Sequence, residues 1–215
     1  MKRSRLRWLL GLLLLGFVAV NVVAFFHAWR FTHFTTEAGT HSPNPEKLSA
    51  GQKLWVLLTG IRNPKPQNGP KPDFPVKTVT IASPNGPLEA WYARPDSTAR
   101  GTVALFHGYT SSKSHLAHEA GYFRRLGYDV LMVDLAGNGN SAGNRTTVGY
   151  READDVAAAV RWLQTQQPET RNQKLILYGI SMGAVAILRA EAELGVRPTA
   201  NILECPYGNM RQTAY

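Results

Sequence analysis

Residues 175–194, LILYGISMGAVAILRAEAEL, decide the fold, because an apolar run leads through a glycine-flanked serine into a helical pattern. Leu175–Tyr178 has the continuous apolar character of a strand buried on both faces, and Ala184–Leu194 has helical periodicity. Between them lies Gly179-Ile180-Ser181-Met182-Gly183. A serine on a tight strand-to-helix turn exposes its hydroxyl above the sheet, and the helix start supplies N–H groups for a developing oxyanion. The motif indicates that Ser181 is a nucleophile; the alternative is a structural helix cap.

The pattern around this motif predicts a mostly parallel sheet with helices on both faces, because apolar runs of strand length alternate with helical segments. Val76–Ala82 and Leu88–Arg94 flank the turn Pro84–Pro87 and are predicted to form a hairpin. The other predicted strands are Thr102–Phe106, Val130–Val133, Leu175–Tyr178 and Asn201–Leu203, and the predicted helices are Leu116–Leu126, Glu152–Gln166 and Ala184–Leu194.

Two further loops follow predicted strands. His107-Gly108-Tyr109 comes directly after Thr102–Phe106, where the N–H groups of Tyr109 and Met182 can converge on the oxygen of a tetrahedral intermediate. His107 itself is expected to be a hydrogen-bonded structural residue. Asp134 opens the glycine-rich loop after the next strand. We expect this carboxylate to fix the turn, and the alternative is a catalytic carboxylate.

Three motifs carry a family resemblance: LFHGYTSS (105–112), DLAGNGNSAG (134–143) and YGISMGA (178–184). In this order they resemble the α/β-hydrolase superfamily, and in particular its branch of membrane-anchored BEM46-like proteins, serine aminopeptidases and monoacylglycerol-lipase-like enzymes. Members commonly have Arg where this chain has Ala136, a departure that touches the turn and not the chemistry. The resemblance implies an α/β-hydrolase fold, Ser181 as nucleophile, the N–H groups of Tyr109 and Met182 as oxyanion hole, and hydrolysis of ester or amide bonds through an acyl-enzyme.

The other two members of the catalytic triad are not evident, since this fold orders them Ser, then Asp or Glu, then His. After Ser181 the sequence has no Asp and no His, and its only later acids are Glu191, Glu193 and Glu204. Glu204, after the last predicted strand, is the best placed of these. His115 and His118 fit the start of a helix better than a catalytic base. With six predicted strands against the family's usual eight, we expect the last strands, the acid and the histidine to lie downstream. The alternative is a catalytically inactive, truncated binding or vestigial domain on a membrane anchor.

Trp8–Phe26, WLLGLLLLGFVAVNVVAFF, carries no charge. A helix of this length is just able to cross a hydrocarbon core of about 30 Å. We predict an uncleaved single-pass anchor, with a cleaved signal peptide as the alternative. The cations before the run place the N-terminus in the cytoplasm and the hydrolase domain outside, by the positive-inside rule; they are Lys2, Arg3, Arg5 and Arg7.

The predicted organisation is a membrane anchor at 1–30, an amphipathic helix and proline-rich linker at 31–75, and a partial α/β-hydrolase domain at 76–215. The amphipathic helix falls between Glu46 and Ile61. It is predicted to pack on the following domain, with a position on the membrane surface as the alternative. Asn63–Pro75 has five prolines and almost no apolar residue, which is typical of a linker.

The composition of the chain narrows the range of partners that it can be expected to bind. With 24 Lys and Arg against 15 Asp and Glu, the chain has a net charge of +9. The basic residues beyond the N-terminus are scattered, so we expect no nucleic acid as a partner. The single cysteine, Cys205, excludes an intramolecular disulfide and a cysteine-based zinc site, and no metal or organic cofactor is implied. The expected partners are a small-molecule, peptide or lipid ester substrate, and the membrane through residues 8–26.

Overall fold

The computed structural model describes residues 2–36, 45–166 and 174–208. Parts of the predicted linker and hydrolase segments, 37–44, 167–173 and 209–215, lie outside the described residues. The chain divides into two compact units, one ending at Pro64 and the other beginning at Lys65. The first unit contains helix α1 (Lys2–Thr32), a 3-10 turn (Pro45–Lys47) and helix α2 (Ala50–Thr59). The second contains β1 (Lys77–Ile81), β2 (Leu88–Ala93), β3 (Gly101–Phe106), a 3-10 turn (Lys113–Leu116), α3 (Ala117–Arg125), β4 (Asp129–Val133), α4 (Glu152–Gln166), β5 (Lys174–Ile180), α5 (Met182–Leu194) and β6 (Ala200–Glu204).

Helix α1 carries the apolar run that is predicted to cross a membrane. An 18-residue window within Ser4–Thr32 has a mean hydropathy of 2.6, and none of that window is buried. In the described part of the chain it is the one helix long and apolar enough to span a bilayer. Its length and composition therefore agree with an anchor or a signal segment.

Helix α2 forms within the range that its periodicity predicts. Ser49 caps its first turn: the Ser49 hydroxyl accepts from the N–H of Gln52, and the Gln52 side chain accepts from the N–H of Ser49. None of the residues of α2 is buried. The packing of this helix on the following domain, with a position on the membrane surface as the alternative, stays a prediction.

The sheet has the strand order β1-β2-β4-β3-β5-β6. The antiparallel hairpin of β1 and β2 pairs Val79 with Ala90, and β2 also runs antiparallel to β4. Strands β4, β3, β5 and β6 are parallel to one another. The predicted mostly parallel sheet, with all six strands, is confirmed.

Alternate side chains of the central strands feed two apolar cores. Ala104 and Phe106 face the core formed with helices α4 and α5, whereas Val103 and Leu105 face the core under helix α3. All four residues are fully buried. Helices therefore cover both faces, as expected for strands that read as continuous apolar runs.

The proline-rich segment 63–75 is attached to the sheet unit by polar groups in its first half. The Lys65 ammonium donates to the carbonyl of Ser141 at 2.6 Å. The Asn68 amide donates to the Asp134 carboxylate at 2.7 Å. The segment has neither helix nor extended strand, as its composition suggests; hydrogen bonds and the packing of Phe74 against the core under α3 hold it.

A buried ion pair connects the loop after β3 to the loop after β4. The ammonium of Lys113 lies 2.5 Å from Asp134 Oδ2 and 2.8 Å from Glu89 Oε1, and 4.5 Å from the centre of the Trp91 ring. Neither the Lys113 nor the Asp134 side chain is exposed. The other carboxylate oxygen of Asp134 accepts from the N–H of Lys113 at 2.7 Å. Asp134 therefore fixes the two loops, which confirms the structural role expected for it.

A second buried carboxylate, Asp155 on α4, holds the same region. Its oxygens accept from the Ser83 hydroxyl at 2.6 Å, the Asn85 amide at 2.9 Å and the N–H of Ala136 at 2.9 Å. Burial raises the pKa of Asp155 to about 6 from an ordinary value of 3.8, although these hydrogen bonds oppose the shift.

Replacing Lys113 should show how much the fold depends on its ion pair. Lys113→Met keeps the apolar stem on Trp91 but leaves the Asp134 carboxylate buried without its cation. We expect the free energy of unfolding in urea to fall by about 3–5 kcal/mol. Adding Asp134→Asn should recover part of this loss, because the uncompensated charge disappears. Lys77→Met, at an exposed lysine of β1, is the control; an equal loss in both single variants would contradict the role of the buried pair.

The raised pKa of Asp155 predicts a pH dependence of stability. The folded chain holds the Asp155 proton more tightly than the unfolded chain. The stabilisation that results is complete below about pH 3.8 and is lost as the pH rises through about 6. Asp155→Asn stays neutral and should make the free energy of unfolding less dependent on pH across this range. Asp154→Asn, at the partly exposed neighbour on the same helix, should keep the dependence of the parent chain. The same pH profile for parent and Asp155→Asn would refute the prediction.

Candidate active site

Ser181 is the single residue between the end of β5 and the start of α5. Its backbone has φ 50° and ψ −107°, a left-handed conformation that is strained for a residue with a side chain. The Ser181 N–H donates to the carbonyl of Glu204 at 2.8 Å, and its carbonyl accepts from the N–H of Val185 at 3.1 Å. Strand and helix thus hold the strained serine from both sides, and the residue is partly exposed.

The two glycines of the motif are required by close backbone contacts. A Cβ on Gly183 would lie 2.3 Å from the carbonyl oxygen of Phe106, at the end of β3. A Cβ on Gly179 would lie 2.7 Å from the nitrogen of Ala184 in the first turn of α5. The pattern Gly-x-Ser-x-Gly is therefore a steric condition for the turn, independent of any chemistry.

The loop after β3 lies beside Ser181. A Cβ on Gly108 would be 3.5 Å from the carbonyl oxygen of Ile180 and 3.8 Å from Cβ of Ser181. The next residue, Tyr109, is partly buried and packs against the core on the α4 and α5 side. Sequence order separates this loop from Ser181 by more than 70 positions, and the parallel pairing of β3 with β5 brings them together.

Met182 begins α5, and its side chain is fully buried. As the first residue of the helix it has no acceptor for its N–H within the helix. Its sulfur accepts from the Thr146 hydroxyl at 3.3 Å, which fixes the side chain below the turn. The helix start therefore presents a fixed N–H next to Ser181, with the partial positive charge of the helix dipole behind it.

His107 is fully buried, and both of its ring nitrogens are engaged. Nε2 accepts from the N–H of Leu135 at 3.1 Å, so Nδ1 carries the proton and donates to the carbonyl of Gly108 at 2.8 Å. Burial lowers the pKa of His107, which favours this neutral form. His107 thus ties together the loops after β3 and β4 and has no nitrogen left for proton transfer, in agreement with its expected structural role.

The other histidines of the second unit do not meet Ser181. His115 lies in the 3-10 turn before α3 with Nδ1 3.3 Å from the Ser112 hydroxyl, and His118 is exposed on α3. Both positions agree with the expected helix start. Within residues 2–36, 45–166 and 174–208, the hydroxyl of Ser181 has no hydrogen-bond partner.

Glu204 ends β6, directly beside the turn. The register pairs it with Ile180, and its carboxylate accepts a short hydrogen bond from the Tyr178 hydroxyl. Burial and this carboxylate raise the pKa of Tyr178. The side chain of Glu204 thus bonds to a neighbouring strand, while its backbone carbonyl holds the N–H of Ser181.

Sequence reasoning missed Lys113, which fixes the loop that follows His107, Gly108 and Tyr109. Lysines are mostly exposed in proteins, and nothing in the local sequence marks this one as buried. Its partners Glu89 and Asp134 are 24 and 21 positions away along the chain. Only the pairing of β2, β3 and β4 brings these charges together.

The comparisons with known proteins agree on one family. The family model for serine aminopeptidase, S33, matches residues 97–214. The chain is 31% identical over 122 residues to Bacillus subtilis YqkD, a protein described as uncharacterized, and 26% identical over 129 residues to the lysophosphatidylserine lipase ABHD12 of Danio rerio. These matches cover 56% and 58% of this chain. The esterase Pf2001 of Pyrococcus furiosus superimposes with a TM-score of 0.60 at 30% identity, over 66% of this chain and 57% of the esterase.

The chain spans only part of these relatives, 39% of YqkD and 32% of the lipase. The matched region nevertheless contains the loop after β3, the turn fixed by Asp134 and the Ser181 turn. Because the family model covers more than half of the 215 residues, and the fold agrees with it, the chain belongs to the serine aminopeptidase S33 family of α/β hydrolases.

Proposed function

We propose that the protein is a membrane-anchored serine hydrolase, which cleaves ester or amide bonds through an acyl-enzyme formed on Ser181. The observation that carries this proposal is the strained backbone of Ser181 at the junction of β5 and α5. Backbone strain in a residue with a side chain persists only where the surroundings impose it, and it concentrates at functional sites. A structural helix cap would use its hydroxyl to bond the first turn, and the Ser181 side chain makes no such capping bond.

The oxyanion formed on attack would be bound by the N–H groups of Tyr109 and Met182. Support comes from the position of the loop after β3, where a Cβ added to Gly108 would lie 3.8 Å from Cβ of Ser181. The start of α5 adds the favourable end of its helix dipole. Loss of one such donor typically raises the barrier by about 2.7–4 kcal/mol.

A general base is needed as well, since an unassisted serine hydroxyl is a weak nucleophile. His107 has both nitrogens engaged, and neither His115 nor His118 bonds to Ser181 in the described part of the chain. After Ser181 the sequence has no further histidine. We place the base and its partner acid in the whole protein outside residues 1–215, in keeping with the larger size of the relatives.

For the substrate we favour an ester. Two relatives are named for ester cleavage, a lysophosphatidylserine lipase and an esterase. Helix α1 supports a location at a membrane, with the N-terminus cytoplasmic and the hydrolase unit on the other side. A membrane location suits a substrate with an acyl chain.

One observation favours a second candidate, a catalytically inactive binding domain: the Ser181 hydroxyl has no partner among the described residues. A serine without a base keeps the shape of the site but reacts slowly. This candidate predicts that Ser181 fails to react in the protein isolated from its own membrane.

Labelling with a fluorophosphonate probe separates the two candidates. We expect the protein in its native membrane to be labelled and Ser181→Ala to abolish the labelling, because the probe reacts with an activated serine. Ser97→Ala removes an exposed serine hydroxyl elsewhere in the same unit and should leave labelling unchanged. Residues 1–215 alone should label weakly, since the base is absent from them.

Labelling that survives Ser181→Ala would overturn the nucleophile assignment. No labelling of the protein in its native membrane would favour the inactive binding domain. Strong, Ser181-dependent labelling of residues 1–215 alone would keep the nucleophile and refute our placement of the base.

The anchor is tested by extraction. We expect the protein to stay with membranes after an alkaline carbonate wash and to keep Met1 or Lys2 at its N-terminus. The double variant Leu13→Arg, Leu14→Arg puts two charges in the middle of α1. Each charge makes membrane insertion less favourable by about 2.5–3.5 kcal/mol, so the chain should be released from the membrane. Leu6→Arg, next to the existing cations, is the control for added charge. A mature N-terminus near Phe25 would show a cleaved signal peptide instead.

A further inference from the structure

Helix α2 exposes a concentrated apolar surface. We call it the apolar end of α2; it consists of Leu54, Trp55, Leu57 and Leu58 of the helix and of Ile61, two residues after its end. Each of these side chains is between 44% and 65% exposed. Scattered exposed apolar residues are ordinary in proteins, but five large ones within eight positions form a contiguous patch of the kind that marks an interaction site.

The polarity of α2 changes along its length. Its first turn is polar and capped, with Ser49 and Gln52 exchanging hydrogen bonds and Lys53 exposed. Apolar residues occupy every position from Leu54 to Leu58. A helix of this kind presents one end to an apolar medium and keeps the other in water, which differs from a helix with one apolar stripe against a core.

The apolar end of α2 lies beside the last turns of α1. His27 Nε2 donates to the carbonyl of Leu57 at 2.8 Å, and Arg30 donates to the carbonyl of Gly60 at 2.6 Å and to the Thr59 hydroxyl at 2.9 Å. His27 directly follows the uncharged run Trp8–Phe26. The apolar end of α2 is therefore level with the point where the apolar part of α1 stops.

The same hydrogen bonds adapt this helix end to a medium with little water. The last carbonyls of any helix lack partners within the helix and normally bond to water. Leaving such groups unpaired in lipid costs several kcal/mol each. Here His27 and Arg30 already satisfy the carbonyls of Leu57 and Gly60.

Aromatic residues of α1 mark the same level. Trp29 is 51% exposed and lies against Phe25 and His33, with Trp8 at the opposite end of the apolar run. At about 1.5 Å per residue, Trp8 and Trp29 are separated by roughly 30 Å, the thickness of a hydrocarbon core. Tryptophan is enriched at both membrane interfaces, so Trp29 indicates the interface next to α2.

We propose that α2 is an interfacial helix whose apolar end inserts into the lipid bilayer at the level where α1 leaves the hydrocarbon core. The occupant of the exposed patch is thus lipid. The inference rests on the proposed anchor, which supplies continuity between α1 and the membrane. It adds a second membrane contact to the first unit, through residues 54–61.

Site-directed fluorescence on the full chain tests this location. Cys205 is first replaced by serine, and one cysteine is then introduced in each of three variants. The variants are Leu58→Cys on the apolar end of α2, Gln52→Cys on its polar end and Val18→Cys in the middle of α1. Each introduced cysteine carries a nitrobenzoxadiazole label, whose emission depends on the polarity around it. The chains are reconstituted in phosphatidylcholine and phosphatidylglycerol vesicles, with bromine atoms on the acyl chains either near the headgroup or near the chain end. An interfacial helix lies about 5–10 Å below the surface. The Leu58→Cys label should therefore emit at shorter wavelength and lose most emission to bromines near the headgroup, while the Gln52→Cys label stays water-like.

The outcomes separate the two membrane proposals. A Leu58→Cys label that is water-like and unquenched overturns the inference, and so does one with blue-shifted emission that neither bromine position quenches, because protein then surrounds it. Val18→Cys reports on α1 and should be quenched most by bromines near the chain end. Quenching at Val18→Cys without quenching at Leu58→Cys keeps the anchor and refutes the interfacial helix. Quenching at Leu58→Cys alone refutes the anchor, and with it the placement of α2 at the level where α1 leaves the hydrocarbon core.

Discussion

The close approach of helix α5 to the end of strand β3 is the constraint on which the site depends. Gly183 lies so near the carbonyl of Phe106 that any side chain there would push the helix away. The approach determines where α5 begins, and with it the left-handed backbone of Ser181. The pairing of β3 with β5 brings the next loop near the serine, so that a Cβ added to Gly108 would lie 3.8 Å from Cβ of Ser181. The proposed nucleophile and the proposed oxyanion donors are thus positioned by backbone packing, which needs small residues and no flexible side chain.

Buried polar groups then hold the loops that this packing brings together. Lys113 and Asp134 join the loop after β3 to the loop after β4, and His107 joins the same loops through Leu135. Burying charges is costly, so such a pair stabilises the fold only relative to losing one partner. The pair holds the two loops in one definite arrangement. Asp155 extends this arrangement to helix α4 through the N–H of Ala136.

The two units differ in where their apolar residues lie. The second unit buries its apolar strands in two cores around one sheet. In the first unit most large apolar residues of α1 and α2 are exposed, and hydrogen bonds from His27 and Arg30 join the two helices. Exposed apolar helices with satisfied polar groups suit lipid, where packing between helices gains nothing from the hydrophobic effect.

Local pattern determined much of this protein: the strands, the helices, the apolar α1, and the strand-serine-helix turn all follow from residue spacing and from glycines at required positions. The resemblance of three motifs was enough to indicate the family, because those motifs encode backbone contacts. Tertiary structure alone decided which distant charges meet. Lys113 looks like any surface lysine until strands β2, β3 and β4 pair and bring Glu89 and Asp134 to it. It also decided that the proline-rich segment binds the sheet unit through Lys65 and Asn68. Side-chain contacts between residues far apart in sequence depend on the whole fold, and no local pattern carries them.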